Sequence, residues 1–117
     1  MDVLKKLQKA AKKREKYWNP DGVNIPVSFR FMELSGEAGE VCNAGKKLAR
    51  HELSMVGGSD DITNLQEELG DVMICCALIA NHYNIDLWKS TVSKFNKTSD
   101  KHGFPVKIKE KKNGNKR

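Results

Sequence analysis

Cysteine, histidine and proline occur only three times each in 117 residues, and aromatic residues make up 7% of the chain. The longest uninterrupted apolar run is nine residues, Val72 to Ala80. A spanning helix needs about 20, which excludes a transmembrane segment. The first residues, Met1-Asp2-Val3-Leu4-Lys5-Lys6, lack the apolar block of a secretory signal. Cys42, Cys75 and Cys76 are odd in number, two are adjacent, and none has CxxC or Cys/His ligand spacing. A disulfide framework and a structural zinc site are therefore not expected. All three fall in apolar-periodic stretches, so core thiols in a reducing, cytoplasmic setting are the expectation. With 38% hydrophobic and 31% charged residues the chain is too apolar for disorder and too charged for a membrane protein. No internal repeat or linker interrupts it.

Acidic charge is also scarce, but only at the ends. Residues 1–17 hold seven basic and two acidic side chains, and residues 101–117 hold seven and one. The 83 residues between them carry seven bases and twelve acids, a net −5. The overall charge of +6 thus hides an acidic body. Such a body repels polyphosphate unless cations intervene, so divalent metal is the first ligand to look for. Nucleic acid is not expected as a partner, because the flanking lysines are not interleaved with aromatic residues.

Apolar spacing predicts four helices and no convincing strand. Residues 2–18 form the first, with Val3, Leu4, Leu7, Ala11 and Trp18 on a loose apolar face. Asn19-Pro20-Asp21-Gly22 is a turn, and Pro26 starts the second helix over 27–50. A third helix, 61–83, follows the Gly57-Gly58-Ser59 loop with Asp60 as its N-cap. From Val72 onward it is apolar all round, which favours burial at a subunit interface as well as in a core. The fourth helix, 87–101, begins at Asp86 and stops at Gly103. The expected architecture is an all-α, four-helix-bundle-type domain over 1–108, with a disordered basic tail over 109–117.

The informative feature is a repeated pair of acids, Glu37-Ala-Gly-Glu40 and Glu68-Leu-Gly-Asp71. A spacing of three places both carboxylates of a pair on one helical face, a turn apart. The residue after each acid, Ala38, Val41, Leu69 or Val72, is an expected core position, so all four acids flank the buried stripe at the same edge. A single ExxE is commonplace on a solvated helix; two pairs in the same register are not. If the helices pack antiparallel, the pairs converge. Like charges at ~4 Å repel by roughly 1 kcal/mol in water and by several times that near protein. A hard cation relieves this, and the absence of histidine points to Mg²⁺, with Mn²⁺ as the alternative ion, rather than zinc. Gly36, Gly39 and Gly70 lie inside helices beside the acids, each at a cost of about 1 kcal/mol relative to Ala. Close helix approach or room for a ligand would justify them.

At these residues the chain resembles the MazG-like, all-α NTP pyrophosphatase superfamily. Glu33-Leu-Ser-Gly-Glu-Ala-Gly-Glu-Val41 is similar to its first motif and Glu67-Glu-Leu-Gly-Asp-Val72 to its second. Lys94-Phe-Asn-Lys-Thr-Ser-Asp-Lys101 is similar to the third, basic segment of phage and small bacterial members. The resemblance spans roughly residues 27–103. It implies a Mg²⁺-dependent hydrolase cutting nucleoside triphosphates to monophosphate and pyrophosphate. It also implies metal ligation by Glu37, Glu40, Glu68 and Asp71, and a homodimer or homotetramer whose bundle is completed between subunits. Many members carry an acid where this chain has Gly36, so Glu33, one turn earlier on the same face, is the candidate base beside Glu37 and Glu40.

Cations and aromatics should complete the cleft. Lys94, Lys47 and Asn96 are candidates for phosphate or sugar contacts, Trp18 for stacking on a base, and Arg30 for the same cleft. Other readings stay open: a dUTPase-like or phosphoribosyl-ATP pyrophosphohydrolase-like enzyme on the same scaffold, an inactive oligomeric regulator, or a non-enzymatic nucleic-acid-binding bundle.

Overall fold

Asp2 opens the first helix by accepting a hydrogen bond from the Lys5 amide, and α1 runs Val3–Trp18. A computed structural model describes residues 2–110; most of the expected tail, 111–117, lies outside the described residues. The Asn19 side chain closes the turn after α1, bonding both the N–H and the C=O of Val23. Pro26 precedes α2, Val27–Glu52, which at 26 residues is about 39 Å long. Helix α3, Thr63–His82, starts later than its pattern predicts. Asp60 is not its cap; Asp61 accepts from the Thr63 N–H instead, and Asp60 stays exposed opposite His51. Asp86 caps α4, Leu87–His102, as expected, and Gly103 ends it in the left-handed region at φ 68°. Residues 104–108 continue as an extended segment without strand pairing among the described residues.

Helices α2 and α3 form the most extensive helix pair, and α1 lies across α3. The α2–α3 loop returns to the α2 backbone, where Ser59 N–H donates to Lys47 C=O and Met55 N–H to Arg50 C=O. Gly58 sits so close to the His51 backbone that a Cβ would meet it at 2.4 Å. That fixes the return and hence an antiparallel pair. A second tie joins α1 to the α3–α4 turn. Gln8 donates to Asn81 Oδ1 and Ile85 C=O and accepts from Leu87 N–H, while Asn81 donates back to Gln8 C=O.

The interior is sparse. Among the described residues the buried apolar ones are Ala11, Ala44, Cys75, Ala77, Ala80 and Val92, and no large side chain is fully buried. Ala38 and Leu69, expected core positions, are exposed, and so is Cys42. The radius of gyration is 18.1 Å, against about 13 Å for a compact domain of this length. The extents of 59 × 50 × 22 Å describe a slab barely two helices thick. Truncating Gln8→Ala strands two part-buried partners, Asn81 Oδ1 and the Leu87 N–H, at about 1–3 kcal/mol for a buried unmet group. A loss of about 2 kcal/mol is expected in urea unfolding.

Candidate metal centre and adjoining cavity

The antiparallel register brings the two acidic motifs together. One carboxylate oxygen each from Glu37, Glu68 and Asp71 lies within 4.8 Å of the others. Glu40, a turn further along α2, is exposed and outside this set, but its charge reaches Glu68. Burial raises the Glu68 pKa above the usual carboxylate range. The adjacent Glu37 carboxyl and the charges of Glu40 and Asp71 add to the shift. Glu68 Oε2 is shielded from solvent and has no hydrogen-bond partner among the described residues. An orphaned acceptor amid like charges is what a cation would satisfy. The donors are all carboxylate oxygens, which fits Mg²⁺ or Mn²⁺.

A cavity of about 420 Å³ opens from this cluster. Glu33, Glu37 and Asp71 line its acidic end. Trp18, Ile25, Phe29, Ile74 and Leu78 supply apolar wall, and Arg14, Glu15, Asn19 and Arg30 supply polar wall. Its volume lies in the range of small-molecule sites. Helices α1 and α2 do not approach one another within 8 Å at any Cα, so the cavity is a wedge between them. Trp18 is 74% exposed, so it is free to meet a ligand. Cys75 also lines the cavity; burial, then Glu33 and Glu37, push its thiol up to about 11. It stays protonated and is no nucleophile.

Arg30 spans the wedge. Its side chain is only 11% exposed, with Nη2 donating to Glu15 and Nη1 to Glu33 at 3.0 Å. Burial alone would lower its pKa, but the hydrogen bonds and charges of the two glutamates outweigh that and raise it. Both arms of the guanidinium are thus engaged with protein carboxylates rather than turned out as a ready phosphate ligand. Glu15 was not singled out in the sequence, although its spacing of three from Trp18 puts both on the cavity side of α1.

The structure does not bring the other cationic and amide candidates to the acids of their own subunit. Lys94 lines a separate apolar groove with Phe95, Phe104 and Val106. The Asn96 carboxamide pairs at 2.8 Å with both the N–H and the C=O of Ile108, pinning the extended segment to α4. Lys47 is exposed near the end of α2, outside the cavity. Gly36, Gly39 and Gly70 have no atom within 4 Å of a would-be Cβ. Intrachain packing therefore does not explain them, and the space beside them is open.

Residues 31–104 match the profile of the MazG nucleotide pyrophosphohydrolase domain. The chain belongs to this family. The matched region contains all four motif acids and the all-helical pairing that joins them. The "Gene 37 protein" of Mycobacterium phage L5 is 41% identical over 70 residues. That alignment covers 60% of this chain and 59% of the phage protein. No solved structure matches the chain. The MazG-family assignment accounts for the converging acids, while Arg14, Glu15 and most of the α1 wall lie before the matched region.

The raised Glu68 pKa has opposite consequences without and with metal. Without metal, the folded state takes up a proton at higher pH than the unfolded chain, so stability rises as pH falls through that window. With metal, binding needs the carboxylate, so affinity drops over the same fall in pH. Melting temperatures in chelator and in Mg²⁺ should therefore diverge as pH rises through and above the ordinary Glu value. Glu68→Gln should remove both trends.

Proposed function

We propose that the protein is a divalent-metal-dependent nucleotide pyrophosphohydrolase, converting (d)NTP and water to (d)NMP and pyrophosphate. One observation carries this reading. The acids converge at one end of a cavity whose other end offers two aromatic side chains, the layout a polyphosphate joined to a base requires. Glu37, Glu68 and Asp71 would hold Mg²⁺, with Glu40 at the rim as a further ligand. A bound Mg²⁺ supplies charge neutralisation for the triphosphate and lowers the pKa of an attacking water. The chain itself positions the parts, which provides most of the rate in phosphoryl transfer. Trp18 and Phe29 offer flat surfaces to a base. Glu33 lines the same cavity, with one oxygen held by Arg30, and would accept a proton from water attacking the α-phosphorus. Arg30 holds Glu33 in that position.

Pyrophosphate release should depend on Mg²⁺ across the eight standard NTPs and dNTPs, with dUTP included to separate a dUTPase-like specificity. Losing an outer-shell partner of a metal ligand already costs 10–100-fold, so Asp71→Ala should lower kcat/KM by at least about 100-fold. Its helical circular dichroism should be retained. Metal-independent release, or full activity in Asp71→Ala, would overturn the assignment.

We also infer that the working form is a homodimer or homotetramer. The outer face of α2 presents Phe31, Met32, Ser35, Ala38, Gly39 and Cys42 without a charge, and all are exposed in the single subunit. Leu69 and Met73 are exposed on α3. A second copy covering this face would give the open space at Gly36 and Gly39 a use, and would supply the core that the slab lacks. Lys94, which lines a groove apart from the acids of its own subunit, would serve the phosphates only from a neighbouring subunit. Light scattering should give at least twice the 13.2 kDa chain mass, and Cys42→Glu should shift it toward the monomer.

A further inference from the structure

We propose that the outer face of α1 is a docking surface for nucleic acid, engaged through its phosphates. By spacing alone the basic residues of this segment are a flanking run without interleaved aromatic residues. The structure orders them. Lys5, Lys6, Lys9, Lys12, Lys13 and Lys16 fall within about 120° of the helix circumference at 100° per residue. All six are exposed. They form a continuous stripe about 16 Å long, the rise from Lys5 to Lys16 at 1.5 Å per residue. Lys5 pairs with Asp86 at 3.5 Å, and the other five have no ion-pair partner among the described residues. The one acid within α1, Glu15, is turned to the opposite side, where it holds Arg30.

Three features around the stripe favour a nucleic acid over other polyanion carriers. Tyr17, 76% exposed, stands at the C-terminal edge of the stripe and supplies a stacking surface there. Lys16 Nζ sits 5.3 Å from the Tyr17 ring centre, so cation and aromatic face share one place. A groove of about 350 Å³ borders the stripe, lined by Lys5, Lys9 and Lys12 on one side and by Asn81 and Asn84 on the other. Leu4, Leu7 and Ala11 face the packed side of α1, leaving no apolar face to enter a bilayer. Lysine-rich faces are also poor cores for protein interfaces, so an oligomer built on α2 leaves this one open. Because the body of the chain is acidic, the attraction is confined to α1 rather than spread over the surface.

The full-length chain should bind labelled oligonucleotides, about 20 nucleotides single-stranded or about 20 base pairs duplex, in fluorescence anisotropy at about 50 mM salt. If all five unpaired lysines meet phosphates, the log–log salt slope reaches about −3.5 on single strands and about −4.5 on duplex. Reversing Lys9→Glu, Lys12→Glu and Lys13→Glu together should weaken binding at least tenfold and flatten the slope by about 2. Pyrophosphate release and helicity should be unchanged, since none of the three lines the acidic cavity. The neutral triple, each lysine to Gln, should give a smaller loss in the same direction and keeps the test decisive if the reversal misfolds. No binding at low salt would overturn the proposal, as would binding that survives the reversal. Binding to anionic phosphatidylserine vesicles without binding to oligonucleotides would overturn it too. Pyrophosphatase failure with intact oligonucleotide binding would count against the catalytic reading alone.

Discussion

The structure is organised around an electrostatic conflict. Two antiparallel helices force carboxylates into one place, and no ion-pair partner meets them there among the described residues. Glu68 bears the cost most directly, through a pKa driven upward and an oxygen without a hydrogen bond. The return loop makes the conflict unavoidable, because Gly58 against His51 and Ser59 against Lys47 fix the register of α3 on α2. A fold tolerates such an arrangement when a cation bound in the working state relieves it.

Arg30 shows the opposite solution a few ångströms away. There the chain does supply the counter-charge, and uses it to tie two helices whose backbones stay apart. One wall of the cavity is thus neutralised from within while the metal-binding end is left unsatisfied. This asymmetry separates the carboxylates that orient groups, Glu15 and Glu33, from those that would hold metal.

Much of this was legible in the residues. The four helices, the Asp86 cap, the Gly103 stop and the phase of the two acid pairs follow from local rules of period and capping. The failures are of one kind. Asp60 does not cap α3, whose N-cap position falls on Ile62, because the loop's route is set by its docking onto α2. Ala38 and Leu69 look like core by period, yet period cannot tell an interior face from one awaiting a second chain. Arg30 and Asn96 have the chemistry of phosphate ligands, but each finds protein partners: Arg30 a glutamate 15 residues away, Asn96 a main chain 12 residues away. Such pairings depend on where the chain turns, which spacing along one helix does not report.

The wedge between α1 and α2 divides the molecule by the kind of change each part can accept. The acids sit on a helix pair whose register is locked by main-chain bonds, so drift there breaks chemistry. The opposite wall rides on a helix joined to α2 through a single guanidinium. Substitutions along α1 can therefore reshape the cavity, and alter which ligand fits, while the acids keep their positions. Divergence within such a lineage would run along its first helix, with reaction type held constant and choice of base left free to wander.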